Sequence, residues 1–201
     1  MRSSKLPKDF YIQEDVQRIA TQLLGKILFT HVDGVLTGGL IVETEAYNGI
    51  TDKASHAYGR RYTGRTKVMY LEGGVSYVYR CYGIHDLFNV VTGPKDIPQA
   101  VLIRGIEPVE GIDYMLRRRN MEKLNPKLSA GPGTLTKALG ITNSFNGKSL
   151  SCGDIWIEDV GQVLLEQDII ATTRIGVDYA KEDALLPWRH YIRGNRFVSR
   201  K

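Results

Sequence analysis

The sequence predicts an α+β fold, one domain with a curved, mostly antiparallel β-sheet surrounded by helices. Three observations lead there. Asp33-Gly34, the strongest short hairpin signal a sequence offers, sits between two long strand-like runs. A second pair of strand-like runs bends at Gly83, and helical periodicity is confined to a few separate segments. With 201 residues and 42% hydrophobic content, a single domain (1–201) is expected to bury about 70% of its unfolded surface. No internal repeat, low-complexity tract or linker divides it.

Residues 1–8 are expected as a flexible tail that carries charge but leads into no apolar signal-peptide segment. Val16, Ile19, Ala20, Leu23 and Leu24 then recur at helical spacing and stop at Gly25, an amphipathic helix closed by a glycine cap. Strands follow over Lys26 to Val32 and Val35 to Tyr47, which places Glu45 near a strand end. The polar, glycine-bearing segment from Asn48 to Lys67 reads as a long loop with one short helix after Thr63. Loops of that length in compact domains are usually functional or mobile.

Gly74 to Tyr82 and Leu87 to Thr92 are strand-like in their β-branched and aromatic content. Gln99 to Ile106 makes a further strand that closes at Pro108, since proline has no N–H for a ladder. Val109, Ile112 and Leu116 mark a helix ending in Arg117-Arg118-Arg119. Thr134 to Leu139 forms a short helix after Gly131-Pro132-Gly133. Asp154 to Glu158, Asp168 to Arg174 and His190 to Arg193 complete the strands.

The net charge is +5 and the basic residues cluster: Arg60, Arg61, Arg65 and Lys67; the arginine triplet; and Arg189, Arg193, Arg196, Arg200 and Lys201. Such clusters attract phosphate backbones. Any one alone is more often a solvated face, and the triplet also suits a helix C-terminus. Cys81 and Cys152 form no CxxC pair and lie near no histidine at ligand spacing. They read as reduced, half-buried packing residues rather than a disulfide or zinc site. No apolar run approaches bilayer-crossing length, so a soluble cytoplasmic protein with no membrane partner is expected.

Side chains alternate along a strand, so Glu43, Glu45 and Tyr47 share one face and Val42, Thr44 and Ala46 the other. Two carboxylates on one face suit acid–base work, including that of a sugar hydrolase, and equally suit a solvent-facing edge. Tyr77 and Tyr79 also share a face, Tyr77 fitting core packing. Tyr82, beside Gly83, stands at a hairpin tip, where a ring has no core to join. It fits a wedge that pushes between base steps and fills the gap left by an extruded nucleotide. Acid, rings and positive charge together point to chemistry on a nucleic-acid base. His31, His85, His190, Lys53 and Lys67 remain unassigned, and the Gly131-Pro132-Gly133-Thr134 segment fits a phosphate site or a simple turn.

Several blocks in order carry a resemblance. They are Ile41-Val42-Glu43-Thr44-Glu45-Ala46-Tyr47, His56, Tyr77-Val78-Tyr79-Arg80-Cys81-Tyr82-Gly83, Asn89-Val90-Val91 and Val101 to Pro108. Ser129 to Gly133, Arg174-Ile175-Gly176-Val177 and Tyr191-Ile192-Arg193-Gly194 continue the series. Together they span most of the chain, and it resembles the alkyladenine (3-methyladenine) DNA glycosylase family. The resemblance implies a monofunctional enzyme that flips an alkylated purine out of double-stranded DNA and hydrolyses its N-glycosidic bond, leaving an abasic site. It implies action as a monomer with no metal or cofactor, near the nucleoid if the source is prokaryotic. Glu45 matches the family's general base and Arg104 the arginine that helps hold water and glutamate. Tyr47 and His56 match the residues stacking on the flipped base, Tyr79 the ring at its edge, Asn89 the amide crowding guanine's exocyclic amine, and Tyr82 the inserted wedge.

Elementary chemistry agrees with that assignment. An alkylated purine is cationic, its glycosidic bond is already weakened, and aromatic faces hold a cation with roughly 0.5 to 2 kcal/mol each. Leaving-group protonation is then unnecessary, so one carboxylate suffices and Glu43 reads as a structural or supporting acid. Hypoxanthine and etheno-adenine, being neutral, would need more help, and the sequence leaves them undecided. Ile84 stands where relatives often carry methionine, and Asp86 puts an acid near the wedge. A damage binder that flips without cutting, or a hydrolase of free nucleosides or sugars, are the rival readings; Glu45 argues against the first, Tyr82 and the basic clusters against the second.

Overall fold

The computed structural model describes residues 4–200. Among the described residues nine strands form one sheet in which every pairing is antiparallel: β1 (Ser4–Lys5), β2 (Ile27–Val32), β3 (Val35–Tyr47), β4 (Ser76–Cys81), β5 (His85–Thr92), β6 (Gln99–Glu110), β7 (Ile155–Asp159), β8 (Ile169–Thr172) and β9 (Arg189–Ile192). The order is β1-β7-β2-β3-β6-β5-β4, with β9 pairing both β3 and β8. Helices α1 (Lys8–Tyr11), α2 (Val16–Gln22), α3 (Ile112–Arg119) and α4 (Pro132–Leu139) complete the α+β architecture. Of the tail expected over residues 1–8, the first three lie outside the described residues. Ser4 and Lys5 pair with Asp159 and Glu158.

Strand β3 is the centre. One edge pairs with β2 as far as Leu40 and then, after the chain swings, with β9 at Glu43, Thr44 and Glu45. The other edge pairs with β6, with register shifts on both sides of Glu43. The acidic stretch is therefore hydrogen-bonded on both sides and held rigidly.

Alternation then sorts the two faces. Ala46, Val78, Phe88, Val90, Val101 and Ile103 join Ile19, Leu23, Met115, Leu135 and Leu139 of the helices in the main core, and Thr44 donates to the Ala20 carbonyl of α2 at 2.9 Å. Glu45, Tyr47, Tyr77, Tyr79, Leu87, Asn89, Leu102 and Arg104 occupy the intervening positions and belong to the opposite face. The helices cover one face, and the chemistry lies on the other.

Most boundaries shift by one or two residues from the sequence expectation, and three of the differences have a clear physical cause. Strand β6 does not close at Pro108 but runs to Glu110, because the proline falls at a register shift against Gly38 and Gly39, where no ladder N–H is needed. Val109 accordingly belongs to β6, and α3 starts only after Gly111, whose φ of 64° turns the chain. Helix α4 begins at Pro132, proline being suited to a first helical position that has no intrahelical N–H partner. The hairpin at Asp33-Gly34 is present, with both residues left-handed at φ 54° and 75°, as a two-residue primed turn requires.

Candidate active site

A cavity of about 600 Å³ opens on the uncovered face of the sheet. Tyr47 of β3, Tyr77 and Tyr79 of β4, Asn89 of β5 and Arg104 of β6 line it from below, and His56 and Arg65 close it from the long loop. The segments Gly131 to Thr134 and Ile175 to Val177 form further walls. The structure thus brings together every lining residue expected from sequence.

Glu45 is fully buried behind the cavity wall rather than in it. Its Oε1 accepts the Ile175 N–H at 2.7 Å, and its Oε2 accepts the Tyr47 hydroxyl at 2.7 Å and Arg104 Nη1 at 3.3 Å. All three donors line the cavity. Neither a solvent-facing edge nor a carboxylate turned to bulk water describes it. Burial, and next the Glu45 carboxylate, push the Tyr47 phenol well above its usual range, so its proton stays available to that hydrogen bond.

Glu43 is equally buried but committed elsewhere. It accepts Arg189 Nη1 at 2.8 Å, the Ser199 N–H at 2.7 Å and the Ser199 hydroxyl at 3.0 Å, and lies 3.4 Å from Arg104 Nε. Gly105 makes this possible. A Cβ there would stand 2.7 Å from the Phe197 carbonyl and 3.3 Å from the Glu43 carboxylate. Arg189, expected in a basic patch, is thus a buried counter-ion.

A second buried pair backs the site. Arg174 grips Asp52 bidentately at 2.5 and 2.9 Å, donates to the Ala46 carbonyl, and lies 4.9 Å over the Tyr47 ring and 5.1 Å over Trp188. The face of Tyr47 away from the cavity is therefore backed by a cation whose charge Asp52 neutralises. Sequence reasoning gave Asp52, Arg174 and Ser199 no role. Arg174 and Asp52 are 122 positions apart, and no periodicity links them.

His56 donates to or accepts from the Tyr77 hydroxyl through Nδ1 at 2.9 Å and meets Tyr79 edge-on at 4.7 Å. Burial first, then Arg65 and Arg61, push the imidazole down to about 4, so it is neutral at physiological pH. Asn89 donates to the Tyr77 carbonyl at 3.0 Å, which fixes its amide against the cavity. Tyr77 is buried, as core packing anticipated.

Tyr82 is 92% exposed at the β4–β5 turn, at a left-handed φ of 51°, and Ile84 beside it is 74% exposed. The tip is an apolar projection at the cavity rim. Asp86, expected to repel phosphate there, is instead paired with Arg80 at 3.0 and 3.2 Å and receives the Asn143 N–H. The arginine triplet serves structure in part: Arg118 reaches Thr37 and the Ala138 carbonyl, and Arg119 the Lys127 carbonyl. Both cysteines are free thiols, but Cys152 is exposed rather than half-buried. The N–H of Thr134 turns back onto the Gly131 carbonyl at 3.1 Å, so that donor of the Gly131 to Thr134 segment is already committed. His190 is buried in a separate cleft against α2, with neither ring nitrogen hydrogen-bonded among the described residues.

Residues 9–196 match the model of the methylpurine-DNA glycosylase family. The chain belongs to that family. Similar proteins include one from Chlamydia abortus, 49% identical over 93% of this chain and 97% of the relative. Others come from Clostridium perfringens strain SM101, 44% identical over 98% and 100%, and Bacillus cereus strain G9842, 44% identical over 97% and 98%. Each carries the name "Putative 3-methyladenine DNA glycosylase". The chain is accordingly a DNA N-glycosylase, a DNA repair enzyme acting on damaged DNA. The cavity has aromatic walls, with the Glu45 carboxylate buried directly behind them. Among the described residues no helix is long and apolar enough to cross a membrane.

Proposed function

We propose that this glycosylase rotates an alkylated purine of the 3-methyladenine type out of duplex DNA into the aromatic cavity and hydrolyses its N-glycosidic bond with water activated by Glu45. The observation that carries this reading is the state of that carboxylate. Buried against cavity-lining donors, it has one lone-pair site on Oε1 that no described residue occupies, beside the Ile175 N–H. A base so held needs no reorganisation when the reaction begins.

Tyr82 enters the duplex and fills the gap the nucleotide leaves, with Ile84 adding apolar contact. The cationic purine lies against Tyr47, His56 and Tyr79, whose faces attract positive charge. A neutral His56 matters here, because an imidazolium would repel the guest. Water attacks the anomeric carbon and gives its proton to Glu45. The C1′–N bond electrons go to the purinium, which leaves neutral, and Arg104 keeps the carboxylate oriented. Asn89 crowds an exocyclic amine at the far end. The product is an abasic site, formed by a monomeric enzyme with no lyase step and no metal or cofactor, and hypoxanthine is a further substrate to be tested.

Purified protein is expected to release 3-methyladenine from methylated duplex without added metal. Glu45→Gln, which keeps the shape and loses the base, should bind damaged duplex within a few-fold of wild type while release falls by about 10² to 10⁴. Undiminished release by that variant would falsify the role of Glu45. A covalent adduct trapped by borohydride would overturn the water route.

A further inference from the structure

The mouth of the cavity already holds a planar cation. Arg65 lies with its guanidinium carbon 4.5 Å over the Tyr79 ring, and its Nη2 is 3.4 Å from His56 Nε2. Among the described residues no carboxylate pairs with it, although it is an exposed residue on a polar loop. A guanidinium with nothing acidic to hold would otherwise extend into water or toward phosphate. This one is turned inward onto the rings. A delocalised, flat, positively charged group on Tyr79 and His56 has the chemistry of an N-alkylated purine on the same surfaces.

We infer that Arg65 is an internal occupant of the base slot and a specificity-determining residue: a flipped base enters only by displacing the guanidinium from Tyr79 and His56. The inference rests on the proposed base-flipping reading. The displaced contacts are the same whichever base enters, so they divide every guest's affinity for the slot by one factor. The consequences differ, because occupancy saturates. A guest that fills the slot with margin keeps its rate, whereas one that fills it only fractionally loses rate in proportion. An alkylated purine adds cation–π attraction to stacking and belongs to the first class. A neutral purine has stacking alone and belongs to the second. Arg65 thereby suppresses neutral bases, undamaged ones included, while sparing cationic ones.

The test is single-turnover release, with enzyme in excess, of 7-methylguanine and of hypoxanthine from otherwise identical duplexes. Wild type is compared with Arg65→Met, which keeps the stem and removes the cation, and with Arg65→Lys. The ratio of hypoxanthine to 7-methylguanine release should rise about 2- to 30-fold in Arg65→Met, the range of one cation–π contact, with Arg65→Lys between. An unchanged ratio, including hypoxanthine release undetectable in both proteins, overturns the inference. So does an equal fall in both rates with a salt slope shallower by about one charge, which identifies a phosphate contact instead. If wild type binds duplex but releases neither base, the base-flipping reading itself fails and the inference falls with it.

Discussion

Replacing Asp52 by asparagine keeps the volume of the side chain and removes the charge that balances Arg174. Both side chains are fully buried, and the carboxylate also accepts the Asn48 and Ala54 N–H groups at 3.2 and 2.9 Å. The guanidinium would stay in place, held by the Ala46 and Asp183 carbonyls, with no counter-ion. Breaking one partner of a buried pair costs about 3 to 5 kcal/mol, because the surviving charge is left uncompensated. For a domain of this size each kcal/mol lowers Tm by about 2 to 4 °C, so the variant should melt about 6 to 20 °C lower. The rim pair Lys26–Asp159, at 2.9 Å with the aspartate side chain 41% exposed, is the control. Asp159→Asn should cost at most about 1 kcal/mol, since water screens it. Function should follow the charge. An unneutralised guanidinium behind Tyr47 opposes a purinium on the ring's other face, so half-saturation for methylated duplex should rise. Thermal melting followed by circular dichroism, with single-turnover release measured well below Tm, reads both. A melting point lowered by less than about 2 °C, or a large drop with unaltered half-saturation, would refute the reasoning.

Two other outcomes follow from single side chains. Tyr82→Gly removes an exposed ring and relieves a left-handed φ of 51°, so Tm should be no lower than wild type while affinity for damaged duplex falls; a parallel loss of Tm would mean that the ring packs against the fold. Unfolded His56 takes up a proton near its ordinary 6.5 and the folded residue only near 4. Its contribution is therefore whole above pH 6.5 and is lost, by at most about 3 kcal/mol, as the pH falls toward 4. His56→Phe should flatten that part of the stability curve in urea titrations at pH 7 and pH 4.5, and an unchanged pH dependence would show that the imidazole is not held neutral by its surroundings.

What sequence made legible was local and periodic. The Asp33-Gly34 turn, the opposite faces of β3 and the exposed ring of Tyr82 each follow from alternation or turn chemistry within a few residues. Glu45 and its aromatic companions came as positions matched to a family, and the fold assembles them around one cavity. What stayed hidden depends on contacts across long sequence distances. Arg189 reads as one more basic residue near the C-terminus until β9 pairs with β3 and puts it against Glu43. Pro108 reads as a strand end because composition does not reveal that its partner strand shifts register there. Arg65 reads as surface charge because nothing local says which way a long side chain turns.

The same contacts distinguish, under the proposed mechanism, the base from its equally buried neighbour two positions away. A carboxylate offers about four acceptor sites, and a catalytic one must keep a site for water. Glu43 Oε1 is taken up by Arg189 and Ser199 and approached by Arg104, while its Oε2 holds the Ser199 N–H beside the Gly105 backbone, away from the cavity lining. Its charge offsets the two arginines that surround it. Among the described residues Glu45 is in ion-pair contact with Arg104 alone, and it takes its other hydrogen bonds from a phenol and a peptide, both in the cavity wall. Arg104 lies between the two acids, 3.4 Å from one and 3.3 Å from the other, so its attraction is shared and Glu45 is not locked to it in the bidentate manner of Asp52 and Arg174. Under the proposed mechanism Glu43 is thus a supporting acid that engages Arg189 and shares Arg104, while Glu45 keeps an acceptor site for water.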